Sequence, residues 1–579
     1  MADSVVPVDE FVTDEWYPGF RPAYGHAPFV VEPFGTFSKE DESRFWFLDF
    51  HWSRGLTPLG LLWNEDGYGW GTQFAAELMP LPTGRGVAQR IAGTHTYAAS
   101  IPVNSPQEVQ RRMDRMRRYL PGFLHDFEST WARHVAELDE GFQYFRGIDF
   151  RSVPLERLAP LLREARAYHR RAFEIHFAMM YPLLANFRGF CGVCSELGID
   201  SDEIGKFLQG YDTKIAETDR ELWRLTRAAR SAGLETVFAA HDPERLNAEL
   251  IAAGGAASGW LAQLTDFLDV YGFRTEGTAD VALPSWREDP TPVLGTIKTF
   301  LAGEHDFDFD AAAKALHDER EDAIDRARSQ LTLREQRIFD AALASVRAAN
   351  FRWWQDDHNF HIDLRAALPL RWAALAVAER AGAQRPDDTL FLFWPELMAV
   401  ATRQGSIAGF ASIIEARRQY FEYWHERRGS MPRVLGTIPE FVDDPIMVEI
   451  FGLTRDYLAV TRAARSGAVV HRVTGIGAAK GTARGTARVL RDADELYRVL
   501  PGEVLVCESI SPNWTPAFAR IAACVCDGGG MMSHAAIVGR EYGVPTVTAC
   551  ALATAVIADG DVLEVDGDRG VVTVLRSAS

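Results

Sequence analysis

The feature that most constrains the fold of this chain is a helical periodicity sustained from about residue 106 to 465. Segments such as "SPQEVQRRMDRMRRYLPGFLHDFESTWARHVAEL" and "LERLAPLLREARAYHRRAFEIHFAMMYPLLANF" place apolar residues three and four positions apart on a charged background. Gly, Pro and Asp interrupt the pattern at short intervals. This region therefore predicts a mainly α-helical domain. A chain of 579 residues is too long for one core, so further domains are expected.

The sequence on either side of the helical region has a different character. Residues 1–105 are rich in Pro, Gly and aromatic residues, which predicts loops and short strands packed on the helical domain. Residues 466–477 predict a linker. Residues 478–579 alternate short β-branched runs with two or three short helical stretches. The overall expectation is a multidomain protein with a mainly α-helical substrate domain and a C-terminal α/β domain.

Charge and hydrophobicity exclude several classes of partner. The formal net charge of -19 argues against nucleic acid or an anionic membrane as the main partner, since both require a basic surface. We find no uninterrupted apolar run of transmembrane length and no secretory signal. Six cysteines in so long a chain do not form a disulfide framework. These features predict a cytoplasmic protein.

The segment "CDGGGMMSHAAIVGREYGVPTV" carries the strongest indication of chemistry. Ser533 is a good N-cap residue, and the following residues predict a short helix closed by Gly543. The amides of the first turn and of Gly528, Gly529 and Gly530 predict an anion-binding surface. A histidine at this position, His534, can act as a nucleophile toward phosphorus, and Arg540 can add a charged contact. From these residues alone, a plain helix-capping histidine is an equally good interpretation. No metal site is predicted around His534.

The C-terminal region closely resembles the phosphohistidine swivelling domain of the phosphoenolpyruvate synthase and pyruvate phosphate dikinase family. The resemblance rests on "GGMMSHAAIVGREYGVPTV" (529–547) and on flanking matches at 478–490, 500–518 and 559–575. It implies that His534 is transiently phosphorylated. The segments 271–290 and 350–382 are similar to the helical domain of rifampicin phosphotransferases, although relatives often carry Lys where this chain has Asp356.

The resemblance also bears on partners and substrate. Family members that act alone carry a nucleotide-binding region of about three hundred residues, and no part of this sequence is assigned to it. ATP and Mg²⁺ are therefore expected on a separate, ATP-grasp-like subunit, with no cofactor held firmly by this chain. That arrangement resembles phenylphosphate synthase and the kinases of 4-hydroxyphenyl ketones such as acetovanillone. It implies an AMP-forming phosphorylation of a phenolic hydroxyl. The alternatives are a split antibiotic phosphotransferase or keto-acid synthase half, and a phosphocarrier or regulatory protein.

The aromatic-rich helical region suits a flat acceptor, and it offers several polar candidates for the acceptor site. A phenol ionises near pH 10, so its attack on phosphohistidine benefits from a general base. Asp49 and His51 are assigned to core or loop roles. The candidates for binding the acceptor or acting as the base are Arg274, Glu276, Arg352, Asp356, Asp357, His358 and His361.

Overall fold

The computed structural model describes residues 5–6, 37–79, 81–275, 277–302, 309–465, 472–491 and 493–576. The described chain forms two compact units. Unit 1 comprises residues 1–185, 277–283 and 361–444, and unit 2 comprises residues 186–276, 284–360 and 445–579. These units do not coincide with the four predicted segments, because residues 106–465 contribute to both. None of the described helices is long and apolar enough to cross a membrane.

The α-helices are α1 (Gln73–Leu78), α2 (Pro106–His125), α3 (Phe127–Arg146), α4 (Leu155–Glu196), α5 (Ser201–Ile204), α6 (Lys214–Ser231), α7 (Glu235–Ala240), α8 (Pro243–Ala253), α9 (Ala256–Tyr271), α10 (Thr291–Ala302), α11 (Phe309–Ser329), α12 (Leu333–Ala348), α13 (Phe351–His358), α14 (Leu368–Ala381), α15 (Trp394–Ala401), α16 (Ile407–Arg427), α17 (Pro445–Glu449), α18 (Arg455–Arg465), α19 (His534–Tyr542) and α20 (Ala553–Val556). The strands are β1 (Val5–Val6), β2 (Phe45–Leu48), β3 (Gly84–Ala92), β4 (His95–Pro102), β5 (Val434–Thr437), β6 (Arg472–Thr474), β7 (Ile476–Ala479), β8 (Thr482–Val489), β9 (Val504–Cys507), β10 (Ala523–Cys526), β11 (Thr546–Thr548), β12 (Val562–Asp566) and β13 (Val571–Arg576).

Unit 1 combines helices with a five-stranded sheet in the order β1-β5-β2-β4-β3. The described part of residues 1–105 contains strands β1 to β4, and sequence patterns missed a π-helix at Asn64–Thr72 that runs into α1. The π-helix is almost wholly buried. Tertiary packing, rather than helix propensity, therefore holds its glycine and acidic residues in a helical conformation.

Unit 2 contains helices α5 to α13 and an eight-stranded sheet in the order β6-β13-β12-β8-β9-β10-β11-β7. The predicted strand runs of the C-terminal region are confirmed as β8 to β13. Strands β8, β9, β10 and β11 pair with one another in parallel, whereas β8 also pairs antiparallel with β12 and β11 with β7. Strands β9 and β10 are buried on both faces, as is typical of parallel strands. The predicted linker is wrong at its C-terminal end, where β6 and β7 are paired in the sheet; residues 466–471 lie outside the described part of the chain.

Two apolar clusters lie on opposite faces of this sheet. One contains Leu505, Cys507 and Cys524 together with Ala535 and Val538 of α19. The other contains the alternate strand residues, among them Val504 and Val506. Helix α19 is therefore anchored to the sheet by its apolar side, and this packing fixes the position of His534 in the first turn of the helix.

Candidate active site

His534 is the first residue of α19, and Ser533 is the N-cap, as predicted. Gly543 ends the helix in the left-handed conformation, with φ of 64°. Only 6% of His534 is exposed. Its Nε2 lies 3.0 Å from Oγ1 of Thr515, and its Nδ1 lies 3.3 Å from Oδ1 of Asp356 on α13. The second pair is close enough for an ionic contact but is not aligned as a hydrogen bond. The two ring nitrogens therefore face different partners.

The predicted glycine anion nest is wrong for this arrangement. The amides of Gly528, Gly529 and Gly530 donate to the carbonyls of Glu508, Phe451 and Ile450, respectively. The glycines instead allow this backbone segment to lie close to the backbone near residue 449. A Cβ on Gly530 would lie 2.2 Å from the carbonyl oxygen of Glu449. The first-turn amides of α19 have no helical acceptor, as at any helix start, so they remain the anion-binding amides of this segment.

Arg540 does not have the predicted role of a free phosphate ligand. Its two terminal nitrogens donate to the carbonyls of Ala478 and Met531, at 2.8 Å each. It thereby ties the end of α19 to β7 and to the segment before His534. Its Nε has no hydrogen-bond partner within the described residues. Burial lowers the pKa of Arg540 well below its usual value, and the nearby Arg352 lowers it further.

Arg352, on α13, is a second buried guanidinium near Arg540. It donates to the carbonyl of Gly205, while its Nε has no partner among the described residues. Burial lowers the pKa of Arg352 to about 10, although Glu541 and Asp356 oppose the shift. Both arginines line a cavity of about 710 Å³. Two buried, mutually repelling cations beside a cavity are suited to binding an anion.

The other predicted residues of α13 have different surroundings. The ring of His358 stacks on Trp354 at 4.0 Å, and its Nδ1 lies 2.9 Å from the carbonyl oxygen of Trp354. His358 is therefore held by its own helix. Asp357 is half-buried.

His358 and His361, which helical spacing would place on one face, do not share a helix face. Helix α13 ends at His358, and a π-helical turn, Asn359–Asp363, follows it. A π-helical turn contains more residues than an α-helical turn, so side chains three residues apart project in directions that differ from those in an α-helix. His361 belongs to unit 1, where its Nδ1 lies 2.9 Å from the guanidinium of Arg365.

Arg274 and Glu276 are the two remaining candidates for the acceptor site. Arg274 is buried in unit 2, and its guanidinium lies 4.3 Å from the ring centroid of Trp286. Its charge acts on Asp219 of α6. Glu276 lies outside the described residues.

Sequence reasoning missed the carboxylate of Asp219. It is 5% exposed and accepts a 3.1 Å hydrogen bond from the hydroxyl of Tyr542, the last residue of α19. Burial raises the pKa of Asp219 to about 7, although Arg274 opposes the shift. Helical spacing alone gives no sign that one carboxylate of α6 is buried. Thr515 was also missed, although it lies in the "SPNWTPAF" flank that carries part of the resemblance.

Unit 1 has a polar cluster of its own around Asp49, which is 1% exposed. Nδ1 of His51 lies 2.7 Å from Oδ1 of Asp49, and the hydroxyl of Tyr68 donates to Oδ2 at 2.8 Å. Burial opposes ionisation of Asp49, but the charge and hydrogen bonds of His51 outweigh it and lower the pKa of Asp49. Burial likewise opposes protonation of His51, yet Asp49 raises the pKa of that ring.

Three thiols in the C-terminal sheet are close enough to hold a metal ion. Cys507, Cys524 and Cys526 are fully buried, with Sγ of Cys526 3.7 Å from each of the other two. They lie in the apolar core beneath α19. Burial raises the pKa of Cys507 well above its usual value, whereas at Cys524 burial is outweighed by hydrogen bonds from Cys507 and Cys526, which lower the pKa of Cys524 to about 6. Packing accounts for this trio.

Comparison with known proteins identifies two domains that this chain shares with phosphotransferases and PEP-utilising enzymes. Residues 499–570 match the mobile domain of PEP-utilising enzymes, and residues 177–352 match the fourth domain of rifampicin phosphotransferase. The chain is 30% identical to chondramide synthase cmdD of Chondromyces crocatus over 93% of this chain and 14% of that protein. It is 28% identical to the uncharacterized phosphotransferase YvkC of Bacillus subtilis, over 71% of this chain and 48% of YvkC.

A third relative is a rifampicin phosphotransferase of Bacillus subtilis, which is 28% identical over 53% of this chain and 34% of that enzyme. The chain thus spans less than half the length of each of these three relatives.

Proposed function

This chain belongs to the family of PEP-utilising enzymes, and we propose that it is a phosphotransferase that carries a phosphoryl group on His534 and delivers it to an aromatic hydroxyl group. The observation that supports this most is the buried His534 at the start of α19, with its two ring nitrogens facing Asp356 and Thr515. A histidine with one nitrogen directed toward a carboxylate keeps a lone pair on the other.

Nε2 is the nucleophile in this proposal. A proton on Nδ1 faces Asp356, so the lone pair is on Nε2, next to Thr515. When the ring attacks a donor phosphoryl group, the P–N bond forms and the P–O bond to the donor's leaving group breaks. In the second step the acceptor oxygen bonds to phosphorus, the P–N bond breaks, and its electron pair returns to Nε2. The acceptor hydroxyl proton passes to a base.

Positive charge near His534 supports the phosphorylated state. Arg352 and Arg540 are buried beside a cavity, and each keeps an Nε without a partner among the described residues. A phosphoryl dianion would gain a charge-assisted hydrogen bond from Arg352 and a longer-range attraction from Arg540, whose terminal nitrogens already donate to backbone carbonyls. The first-turn amides of α19 add a helix dipole with its positive end toward His534.

We place ATP and Mg²⁺ on a separate subunit with an ATP-grasp-like fold. The chain covers less than half of the length of its phosphotransferase relatives, which leaves room in those proteins for a nucleotide-binding region. The complete reaction in this proposal converts ATP, water and a phenol into an aryl phosphate, AMP and phosphate.

The acceptor class that we favour is a phenol or 4-hydroxyphenyl ketone such as acetovanillone. Aromatic side chains line the cavities in the described part of unit 2, among them Phe187, Tyr211, Phe309 and Tyr542. A second candidate is an antibiotic acceptor of the rifampicin type. The match of residues 177–352 to the fourth domain of rifampicin phosphotransferase favours that candidate.

A test of the proposal needs no partner subunit. Phosphoramidate, a small chemical donor that phosphorylates histidine, is incubated with the full chain and then removed. Phenol, 4-hydroxyacetophenone, rifampicin and pyruvate are added separately, and phosphorylated product is measured by mass spectrometry. We expect phospho-His534 and its discharge to the two phenols, with both lost in His534→Asn. His317→Asn, which alters an exposed histidine of unit 2, serves as the control.

Each other outcome contradicts part of the proposal. Discharge to rifampicin alone would establish the second candidate in place of the first. Phospho-His534 that no hydroxyl acceptor discharges would indicate a phosphocarrier. No phosphorylation at His534 would contradict the proposed chemistry.

A further inference from the structure

A cavity of about 280 Å³ lies between α6, α11 and α19 of unit 2. Its lining is mainly apolar and aromatic, with the side chains of Tyr211, Ile215, Phe309, Leu316, Val538 and Tyr542. The rings of Phe309 and Tyr542 meet edge to face with centroids 6.0 Å apart. Apolar walls with a few polar groups are typical of sites that bind small organic molecules.

The cavity is adjacent to the phosphorylatable ring. Thr515 lines it, and Oγ1 of the same threonine lies 3.0 Å from Nε2 of His534. The nitrogen that carries the phosphoryl group in the proposed reaction is therefore separated from the cavity by one small side chain. On its other side, the ring faces Asp356, which is not among the lining residues.

The cavity also contains a carboxylate that suits proton transfer. Asp219 lines the wall and is held in place by the hydroxyl of Tyr542. The charged and titratable groups that act on Asp219 come from three helices and one loop, namely Arg220, Arg274, Asp356, Glu541 and Tyr542. Burial outweighs the attraction of the arginines and holds the pKa of Asp219 near neutrality, at about 7. A base with such a pKa is efficient at physiological pH.

We propose that this cavity is the acceptor site and that Asp219 removes the proton from the hydroxyl of a single-ring phenol bound there. The inference rests on the proposed function. In the transfer step the phenolic O–H bond breaks and its proton moves to the carboxylate of Asp219. The phenolic oxygen bonds to phosphorus as the P–N bond to His534 breaks.

The size of the cavity selects among the acceptors. At about 280 Å³ it lies just below the range of roughly 300–1,000 Å³ that holds drug-sized ligands. One substituted ring fits this volume, whereas a macrocyclic antibiotic does not. The site is thus assigned to simple phenols and hydroxyphenyl ketones.

The role of Asp219 is tested by single-turnover discharge of the chemically phosphorylated full chain. Phenol and 4-nitrophenol serve as acceptors, and Asp219→Asn is compared with wild type and with Asp310→Asn, a 93% exposed carboxylate of α11. We expect Asp219→Asn to slow discharge to phenol by about 100-fold and discharge to the more acidic 4-nitrophenol by less than about 10-fold, because an ionised acceptor needs no base. Asp310→Asn should match wild type.

The pH profile provides a readout that a structural role would not alter. Discharge of the wild-type chain to phenol should rise with pH up to about 7 as Asp219 loses its proton, and Asp219→Asn should lack that rise. Equal losses with both acceptors, or an unchanged pH profile, would overturn the role of Asp219.

The position of the acceptor is tested with Ala312→Phe, which would fill the cavity from α11. We expect the variant to take up phosphate on His534 normally but to lose discharge to phenol by about 10-fold or more. Normal discharge would overturn the assignment of the cavity. If wild-type phospho-His534 is not discharged by any phenol, the proposed function itself fails, which is distinct from a failure confined to the variants.

Discussion

Both units contain residues whose charge state depends on their neighbours. In unit 2, burial keeps Asp219 protonated up to about pH 7. In unit 1, Asp49 and His51 stabilise each other's charged forms despite burial. The same desolvation therefore has opposite results, because the contact with His51 at 2.7 Å outweighs it at Asp49, whereas the attraction of Arg274 does not outweigh it at Asp219.

The Asp49–His51 pair predicts a pH-dependent effect on stability. The pKa of His51 is raised in the folded state, so its contribution is fully present below about pH 6.5, the unfolded value, and is lost as the pH rises through the folded pKa. His51→Gln should therefore lower the thermal midpoint more at pH 6 than at pH 9. We expect a loss of about 2 kcal/mol at the lower pH.

His134→Gln is a matched control for that experiment, because His134 also lies beside a carboxylate, Glu137, and has a similar exposed fraction of 24%, against 26% for His51. Its pKa is lowered by burial, so it makes no such contribution at pH 6. An equal loss at both pH values in His51→Gln would contradict the ion-pair explanation.

At the scale of elements, the glycine run before α19 illustrates a close approach of two backbones. Gly529 has a φ of 98°, and its amide and that of Gly530 bond to residues 450 and 451, which follow α17. Helix α19 is thus joined to the chain segment that precedes the C-terminal sheet. The glycines are required by contact, and a phosphate contact is not needed to explain them.

Gly530→Ala should disrupt this contact, since the new Cβ would lie 2.2 Å from the carbonyl oxygen of Glu449. We expect a loss of about 1–3 kcal/mol of unfolding free energy, as for other overpacked sites. Denaturant unfolding measures it. Gly189→Ala is the control, because Gly189 lies in α4 with open space around it, and it should be neutral or slightly stabilising. Equal stability of the two variants would contradict the close approach.

Elements with a strong local pattern could be predicted from the sequence. The β-branched runs of the C-terminal region became strands β8 to β13, and Ser533 and Gly543 bound α19 as expected. The π-helix at Asn64–Thr72 could not be foreseen, because burial rather than composition maintains it. The same distinction applies to the candidate site. The local motif indicated His534, but the partners of the glycine amides and the burial of Asp219 depend on residues distant in sequence and could not be predicted.

At the level of the whole molecule, the chain has an acidic net charge, and acidic residues also surround His534. The unphosphorylated ring lies 3.3 Å from Asp356, and Asp219 and Glu541 are nearby in the same unit. A phosphoryl group would add a charge of about -2 to this surrounding. Burial raises the pKa of Asp219 to about 7 and that of Glu541 to about 8, so both groups are substantially protonated at neutral pH. Repulsion from the Asp356 carboxylate would therefore oppose the attraction of Arg352 and Arg540.

We therefore expect phosphorylation of His534 to weaken the contact between α13 and α19. Hydrogen exchange of peptides from α13 should be faster in the phosphorylated chain than in the free chain. The difference should shrink in Asp356→Asn and remain in Asp357→Asn, whose half-buried side chain serves as a neighbouring control. Exchange that is unchanged or slower on phosphorylation would contradict this charge argument.

The most direct test of the central claim follows one phosphoryl group from His534 to an acceptor. The full chain is phosphorylated, freed of donor and mixed with 4-hydroxyacetophenone, and phosphorus NMR measures phosphohistidine, aryl phosphate and inorganic phosphate over time. We expect aryl phosphate to appear as phospho-His534 disappears, one for one, and His534→Asn to form none. Inorganic phosphate as the sole product, or aryl phosphate formed equally by the variant, would contradict the proposed transfer.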